Sequence, residues 1–159
     1  MVEGAAEHMS DADAVLPASV FFMGTYSPKL DPKGRVILPA KFATGLQDGV
    51  VITRGQERCL YLYPKAEFTN LYQRMQDSPA SGRQARDTMR LFLAGADDEE
   101  LDAQRRVTIP SVLRSYASLT TDLAVIGVGP HVEIWDATTW EDYVTQHEQG
   151  FSENDLTLF

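Results

Sequence analysis

The chain has a single cysteine, Cys59, so no intramolecular disulfide can brace it. That cysteine sits in the apolar run Cys59 to Tyr63, where a small buried hydrophobe fits better than a reactive thiol, and the chain reads as cytosolic. No apolar window approaches the roughly 18 residues that a membrane-spanning helix needs. The first 20 residues hold no Lys or Arg, which removes the basic region of a secretory leader. They carry Glu3, Glu7, Asp11 and Asp13 among small residues, the composition of a disordered acidic arm, native or an expression remnant, and 1–20 are set apart from the fold. The histidines, His8, His131 and His147, lie far apart without Cys or carboxylate at ligand spacing, which argues against zinc. No G-x-S-x-G elbow accompanies the Ser, His and Asp present. Asp97 to Glu100 are four adjacent acids whose side chains alternate along a strand, so a solvated run fits better than a cation site. Gly127-Val128-Gly129 lacks the rest of a dinucleotide fingerprint and reads as a hairpin bend. Neither an enzyme nor a cofactor, metal, membrane or small-molecule substrate is expected.

What is present is a globular composition, 43% hydrophobic and 23% charged over 159 residues, enough for one domain or two small ones. A net charge of -9 is awkward for a nucleic-acid partner, because Lys and Arg on phosphate supply most non-specific affinity. The four acids of the arm account for part of it, leaving -5 on the remainder. Basic charge is local and occurs twice: Lys29, Lys33, Arg35 and Lys41 against Asp31 alone between Ser27 and Lys41, then Arg105, Arg106 and Arg114 against no acid. Arg83, Arg86 and Arg90 share one helix face, which reads as a wet face or as additional basic surface.

The double occurrence reflects an internal repeat. Gly24, Leu30, Asp31, Arg35, Val36, Leu38 and Pro39 recur at a constant spacing of 71 as Gly95, Leu101, Asp102, Arg106, Val107, Ile109 and Pro110. With a slip of one, Leu60, Leu62, Tyr63 and Phe68 match Val132, Ile134, Trp135 and Trp140. One supersecondary unit is written twice.

Within a copy, Val20 to Tyr26 and the segment ending at Leu30 read as strand. Asp31-Pro32-Lys33-Gly34 has the residue preferences of a type I turn, and Val36 to Leu38 return as a short strand. Pro39 suits the first position of a helix reaching Leu46. Val50 to Thr53 and Cys59 to Tyr63 are two more strands, joined through Gly55. Pro64 opens a helix whose Phe68, Leu71, Tyr72 and Met75 share one face. The first module thus spans 21–76. Asp77 to Gly82 is a breaker cluster, read as the linker. The second module, 83–149, begins with an amphipathic helix (Ala85, Met89, Phe92, Leu93), followed by the repeated turn and by strands Leu123 to Val128 and His131 to Trp135 about Gly129-Pro130. Asp136 is an expected N-cap, and Trp140, Tyr143, Val144 and His147 form a last apolar stripe. Residues 150–159 read as a loose tail.

Asp31 and Arg35 bracket a tight turn, so the carboxylate can orient the guanidinium or cap turn N–H groups, with Lys33 and Arg35 displayed at the tip. Arginine's fixed fork suits phosphate or the O6/N7 edge of guanine, and a two-stranded ribbon fits the major groove. The alternative is a surface ion pair worth about 0–1 kcal/mol and nothing more. Recurrence in the same register favours the first reading.

Gly24-Thr25-Tyr26, Leu30-Asp31-Pro32-Lys33-Gly34-Arg35, Leu38-Pro39-Ala40-Lys41-Phe42, Thr53-Arg54-Gly55, Cys59-Leu60-Tyr61-Leu62-Tyr63-Pro64, Phe92-Leu93-Ala94-Gly95-Ala96, and Ile126-Gly127-Val128-Gly129 with Glu133-Ile134-Trp135-Asp136 together resemble the MraZ family, over residues 21 to about 148. The resemblance implies an α+β fold of two tandem AbrB/SpoVT-like swapped-hairpin modules, forming a pseudo-dimeric β-barrel with flanking helices. It implies a cytoplasmic, nucleoid-associated regulator, typically a repressor, binding double-stranded DNA at spaced promoter direct repeats before the division and cell-wall genes. Chains would assemble as a homo-oligomer, a ring. A protein-interaction module of antitoxin-like type is the alternative on the same fold.

The family's D-x-x-x-R signature falls on Asp31 and Arg35, and on Asp102 and Arg106. It points to Lys33 and Arg35, with Lys29, Arg105 and Arg106, for DNA contact, and to Asp31, Gly34 and Asp102 for shaping the turns. The second copy departs by placing Arg105 at the Gly34 position and Ala103 at the Pro32 position. A non-glycine at positive φ costs on the order of 1 kcal/mol, so a differently shaped second turn is expected. Arg105 and Arg106 either add phosphate contact or form a solvated turn with no fixed role.

Overall fold

The computed structural model describes residues 20–159; the acidic arm expected over 1–20 lies outside the described residues except for Val20. In chain order the elements are β1 (Phe22–Tyr26), β2 (Arg35–Ile37), α1 (Ala40–Leu46), β3 (Val50–Arg54), β4 (Leu60–Pro64), α2 (Lys65–Gln76), α3 (Arg83–Ala94), β5 (Asp97–Glu99), β6 (Arg106–Thr108), α4 (Ser111–Tyr116), β7 (Leu123–Gly129), β8 (Val132–Asp136) and α5 (Ala137–Glu153), with a 3-10 turn at Gln56–Arg58. Both copies thus repeat strand, short strand, short helix, two strands and helix. The architecture is mixed α+β. Pro39, Pro64 and Pro110 each sit one place before the first helical residue, at ψ near 142–146°. Their fixed φ directs the chain from strand into helix without using an N–H. The segment ending at Leu30 makes only isolated bridges, Lys29 to Asp122 and Leu30 to Val36, and is not a regular strand.

Every strand of one copy touches the other copy or a strand that does. Six strands form an antiparallel sheet in the order β1-β7-β8-β4-β3-β5, and β2 and β6 form a separate two-stranded ribbon. The order is symmetric about the β8–β4 seam. There Leu60 faces Ile134, Tyr61 faces Glu133 and Leu62 faces Val132. At the flanks β1 of the first copy pairs with β7 of the second, while β5 of the second pairs with β3 of the first. Among the described residues the sheet has two open edges, β1 and β5, and does not close into the expected barrel. The ribbon strands hydrogen-bond each other and do not bridge those edges.

Strand alternation sorts side chains into two layers. On one face Val50, Ile52, Leu60, Leu62, Leu123, Val125, Val132 and Ile134 pack with Val36 and Val107 of the ribbon, Phe42 and Leu46 of α1, and Leu113 of α4. This core draws on both copies throughout. On the other face Ala124, Ile126 and Trp135 meet Trp140 and Tyr143 of α5, while Tyr63 packs against Phe68 of α2 and Phe92 of α3. Helices α2, α3 and α5 contain no fully buried residue. The strand pair β1–β7 requires glycine at its closest approach, because a Cβ on Gly127 would fall inside the backbone of Phe22 and Met23.

Three local expectations change. Asp136 does precede α5, but its side chain caps no helix N–H; Oδ1 accepts from the Thr120 amide at 2.9 Å and hydroxyl at 2.6 Å, fastening the loop before β7. Helix α5 continues through Gly150 to Glu153; one glycine costs about 1 kcal/mol, too little to end a helix with a packed face. Cys59 is buried as expected, and burial together with nearby Glu133 pushes its thiol pKa up, which keeps it protonated and unreactive.

Candidate nucleic-acid interface

Antiparallel pairing of β2 with β6 sets Arg35 opposite Thr108, Val36 opposite Val107 and Ile37 opposite Arg106. Val36 and Val107 are both 0% exposed and hold the ribbon on the core. Alternation therefore turns Arg35, Ile37, Arg106 and Thr108 outward together on one face. The two arginines stand at diagonal corners, one from each copy. The sequence pattern alone did not bring them together, because it identifies each hairpin but not the strand that pairs with it.

Each arginine is held by its own aspartate. Oδ1 of Asp31 accepts the Lys33 and Arg35 amides at 2.8 and 2.9 Å, and Oδ2 accepts Nε of Arg35 at 2.8 Å. Asp102 repeats the set with the Gln104 and Arg106 amides at 2.8 and 2.9 Å and Nε of Arg106 at 2.6 Å. The carboxylate thus both caps the turn and orients the guanidinium, leaving the terminal nitrogens of the fork for a partner. The amide of Arg35 and that of Arg106 are the chief causes holding the Asp31 and Asp102 carboxyls below the ordinary value of 3.8. A carboxyl with a depressed folded pKa contributes stability above its unfolded pKa, and that contribution is lost as pH falls through the folded one. The doubly substituted Asp31→Asn, Asp102→Asn chain is therefore expected to lose less stability than the parent as pH falls below about 4, measured by chemical denaturation at successively lower pH.

The turns have one shape, not two. Gly34 N–H donates to Asp31 C=O at 2.9 Å and Arg105 N–H to Asp102 C=O at 3.0 Å, with φ of 78° at Gly34 and 64° at Arg105. The expected difference in shape is thus absent: Arg105 accepts the left-handed conformation, at a cost near 1 kcal/mol. Cross-copy contacts hold it there. The Arg105 carbonyl accepts from the Leu38 amide at 3.0 Å, and its Nε lies 3.4 Å from the Leu38 carbonyl. On the opposite side, Arg114 donates to the Ile109 carbonyl at 2.9 Å, and a Cβ on Gly34 would overlap its guanidinium. Each ribbon end therefore has a guanidinium over the carbonyl that precedes proline, and both come from the second copy: Arg105 of its turn over Leu38 and Arg114 of α4 over Ile109. The packing of the Arg114 guanidinium over Gly34, far back in the chain, was not evident from the sequence.

Lys33 is exposed at the first tip, with no carboxylate within ion-pair distance among the described residues. Lys29 instead pairs with Asp122 at 2.6 Å, both well exposed. The acidic run forms edge strand β5, where Asp98 pairs with Lys65 at 2.8 Å, and burial with a hydrogen bond donated by its protonated carboxyl to Asp97 raises Glu99 to about 7. Among the described residues no group of three His, Cys, Asp or Glu is placed to hold a metal ion. No helix among them is long and apolar enough to cross a membrane.

Two interleaved copies, each presenting an aspartate-held arginine on a shared ribbon, define a tandem-module chain of mixed α+β architecture. The chain belongs to the MraZ family: the profile described as "MraZ protein, putative antitoxin-like" matches residues 21–91 and again 92–159. A protein called transcriptional regulator MraZ in Paenarthrobacter aurescens is 55% identical over 134 residues, which is 84% of this chain and 94% of that one. Its namesake in Clavibacter michiganensis subsp. michiganensis is 55% identical over 132 residues, 83% and 92% of the two chains. That of Leifsonia xyli subsp. xyli is 53% identical over 131 residues, 82% and 92%.

Proposed function

We propose that this chain is a sequence-specific DNA-binding transcriptional regulator, a repressor acting at spaced direct repeats ahead of the division and cell-wall genes, and working as a homo-oligomer on the nucleoid. The observation that carries the reading is the shared ribbon face, where Arg35 and Arg106 are both presented with guanidinium forks oriented by Asp31 and Asp102. A two-stranded ribbon of this kind has the width to enter a major groove. Pairing of β2 with β6 across the copies supports the AbrB/SpoVT-type swapped-hairpin assignment. The names of the relatives support regulation of transcription.

Few cations lie on one ribbon, so several ribbons engaged together are needed for tight binding. Assembly is supported by the charge on the outer helices. Helix α3 exposes Arg83, Arg86 and Arg90, whereas α5 carries Glu141, Asp142, Glu148 and Glu153, and no Lys or Arg follows Arg114. Unlike faces on one chain favour head-to-tail contacts, which close into rings when the rotation permits.

The test is equilibrium binding to a duplex carrying spaced direct repeats over a range of salt. Log affinity should fall linearly with log salt, with a slope near 0.9 per phosphate neutralised. Co-purification of a protein partner together with indifference to DNA would instead favour the antitoxin-like interaction reading.

A further inference from the structure

We infer that Ile37 is a specificity-determining residue that contacts the 5-methyl group of a thymine in the major groove. The inference rests on the DNA-binding reading and adds to it an apolar contact between the two arginines. Ile37 is 49% exposed on the ribbon face, although its strand neighbours Val36 and Leu38 are 0% exposed. It lies directly opposite Arg106 and two residues from Arg35 on the same face. A large aliphatic side chain thus stands in water beside two outward-facing arginines.

Its chemistry suits a base edge and not a phosphate. A β-branched side chain has little χ1 freedom on a strand, so its methyl groups are presented at a fixed place with little entropy left to lose. The only apolar group on the major-groove edge of the four bases is the thymine methyl. Two residues along a strand advance about 6.7 Å, close to two base-pair steps of about 3.4 Å. If Arg35 takes a guanine edge or its phosphate, Ile37 falls near the base two steps further on.

The repeat makes the two halves of this face unequal. The residue related to Ile37 by the 71-residue spacing is Thr108, which offers one methyl and a hydroxyl. The apolar contact therefore belongs to the first copy, and the ribbon reads its two half-sites differently.

The test uses a duplex selected by the full chain from a random-sequence pool, then remade with each thymine in turn replaced by deoxyuridine, which lacks only the methyl. At one or more thymines the replacement should weaken binding of the parent chain about fourfold, the effect of one buried methyl-sized group. Ile37→Ala should bind parent and deoxyuridine duplexes equally, with its salt slope and thermal midpoint unchanged, and Ile37→Val should restore the discrimination. No loss at any thymine, or an equal loss in the parent chain and Ile37→Ala, would overturn the inference while leaving DNA binding intact. A parent chain that selects no sequence would overturn the DNA-binding reading and this inference with it.

Discussion

Replacing Arg35 by alanine should weaken binding to a repeat-bearing duplex by about 1–3 kcal/mol for each ribbon engaged, the range of one good arginine contact. Two features push it toward the upper end. Asp31 already holds Nε at 2.8 Å, so the fork is oriented before DNA arrives and little freedom is lost on binding. Removing the guanidinium also leaves the Asp31 carboxylate facing phosphate without its partner, adding repulsion to the lost attraction. In an assembly engaging several ribbons the deficit multiplies, so the oligomer should lose far more affinity than one site would. If Arg35 meets phosphate, the salt slope should drop by about one unit per site; if it meets guanine, the slope should hold while sequence preference relaxes. Arg106→Ala is the matched measurement in the second copy. Arg35→Ala binding as tightly as the parent chain would remove the ribbon from the site.

The second large effect concerns the seam between the copies. Leu60 and Ile134 face each other across β4 and β8, both 0% exposed. Truncating either to alanine should cost about 2–5 kcal/mol, the range for buried aliphatic residues. Because β1 is bonded to β7, β5 to β3, and one core is shared, the loss should lower a single transition whichever copy carries the change. Calorimetry with the far- and near-ultraviolet signals followed together checks this. Two separated transitions, with only one displaced by Ile134→Ala, would show that the copies fold as independent units.

Much of this architecture was legible before any coordinates. Spacing of 71 exposed the repeat, and Asp31-Pro32-Lys33-Gly34 named its own turn, because those preferences act within four residues. The dual use of Asp31 as cap and guanidinium clamp likewise follows from local geometry. What the sequence withheld are contacts between copies. Nothing in Arg35-Val36-Ile37 states that its partner strand is Arg106-Val107-Thr108, since alternation fixes which side is buried but not which strand lies alongside. The conformation of Arg105 shows the same limit. Its residue type argues against positive φ, and cross-copy bonds to Leu38 hold it there regardless. The outward placement of Ile37 was half readable, since a buried Val36 requires it, but its position between two arginines needed the ribbon. Asp136 misled because an aspartate before a helix ordinarily caps it, whereas here Thr120 is the nearer claimant.

One determination bears most directly on the central claim that many arginine-bearing ribbons act together. Solution mass should be measured by light scattering at low ionic strength, first for the chain alone and then with a duplex of spaced repeats. The expected result is a multiple of 17.7 kDa without DNA and a discrete, heavier complex with it that dissociates as salt is raised. A monomer whose mass is unchanged by the duplex would contradict the account.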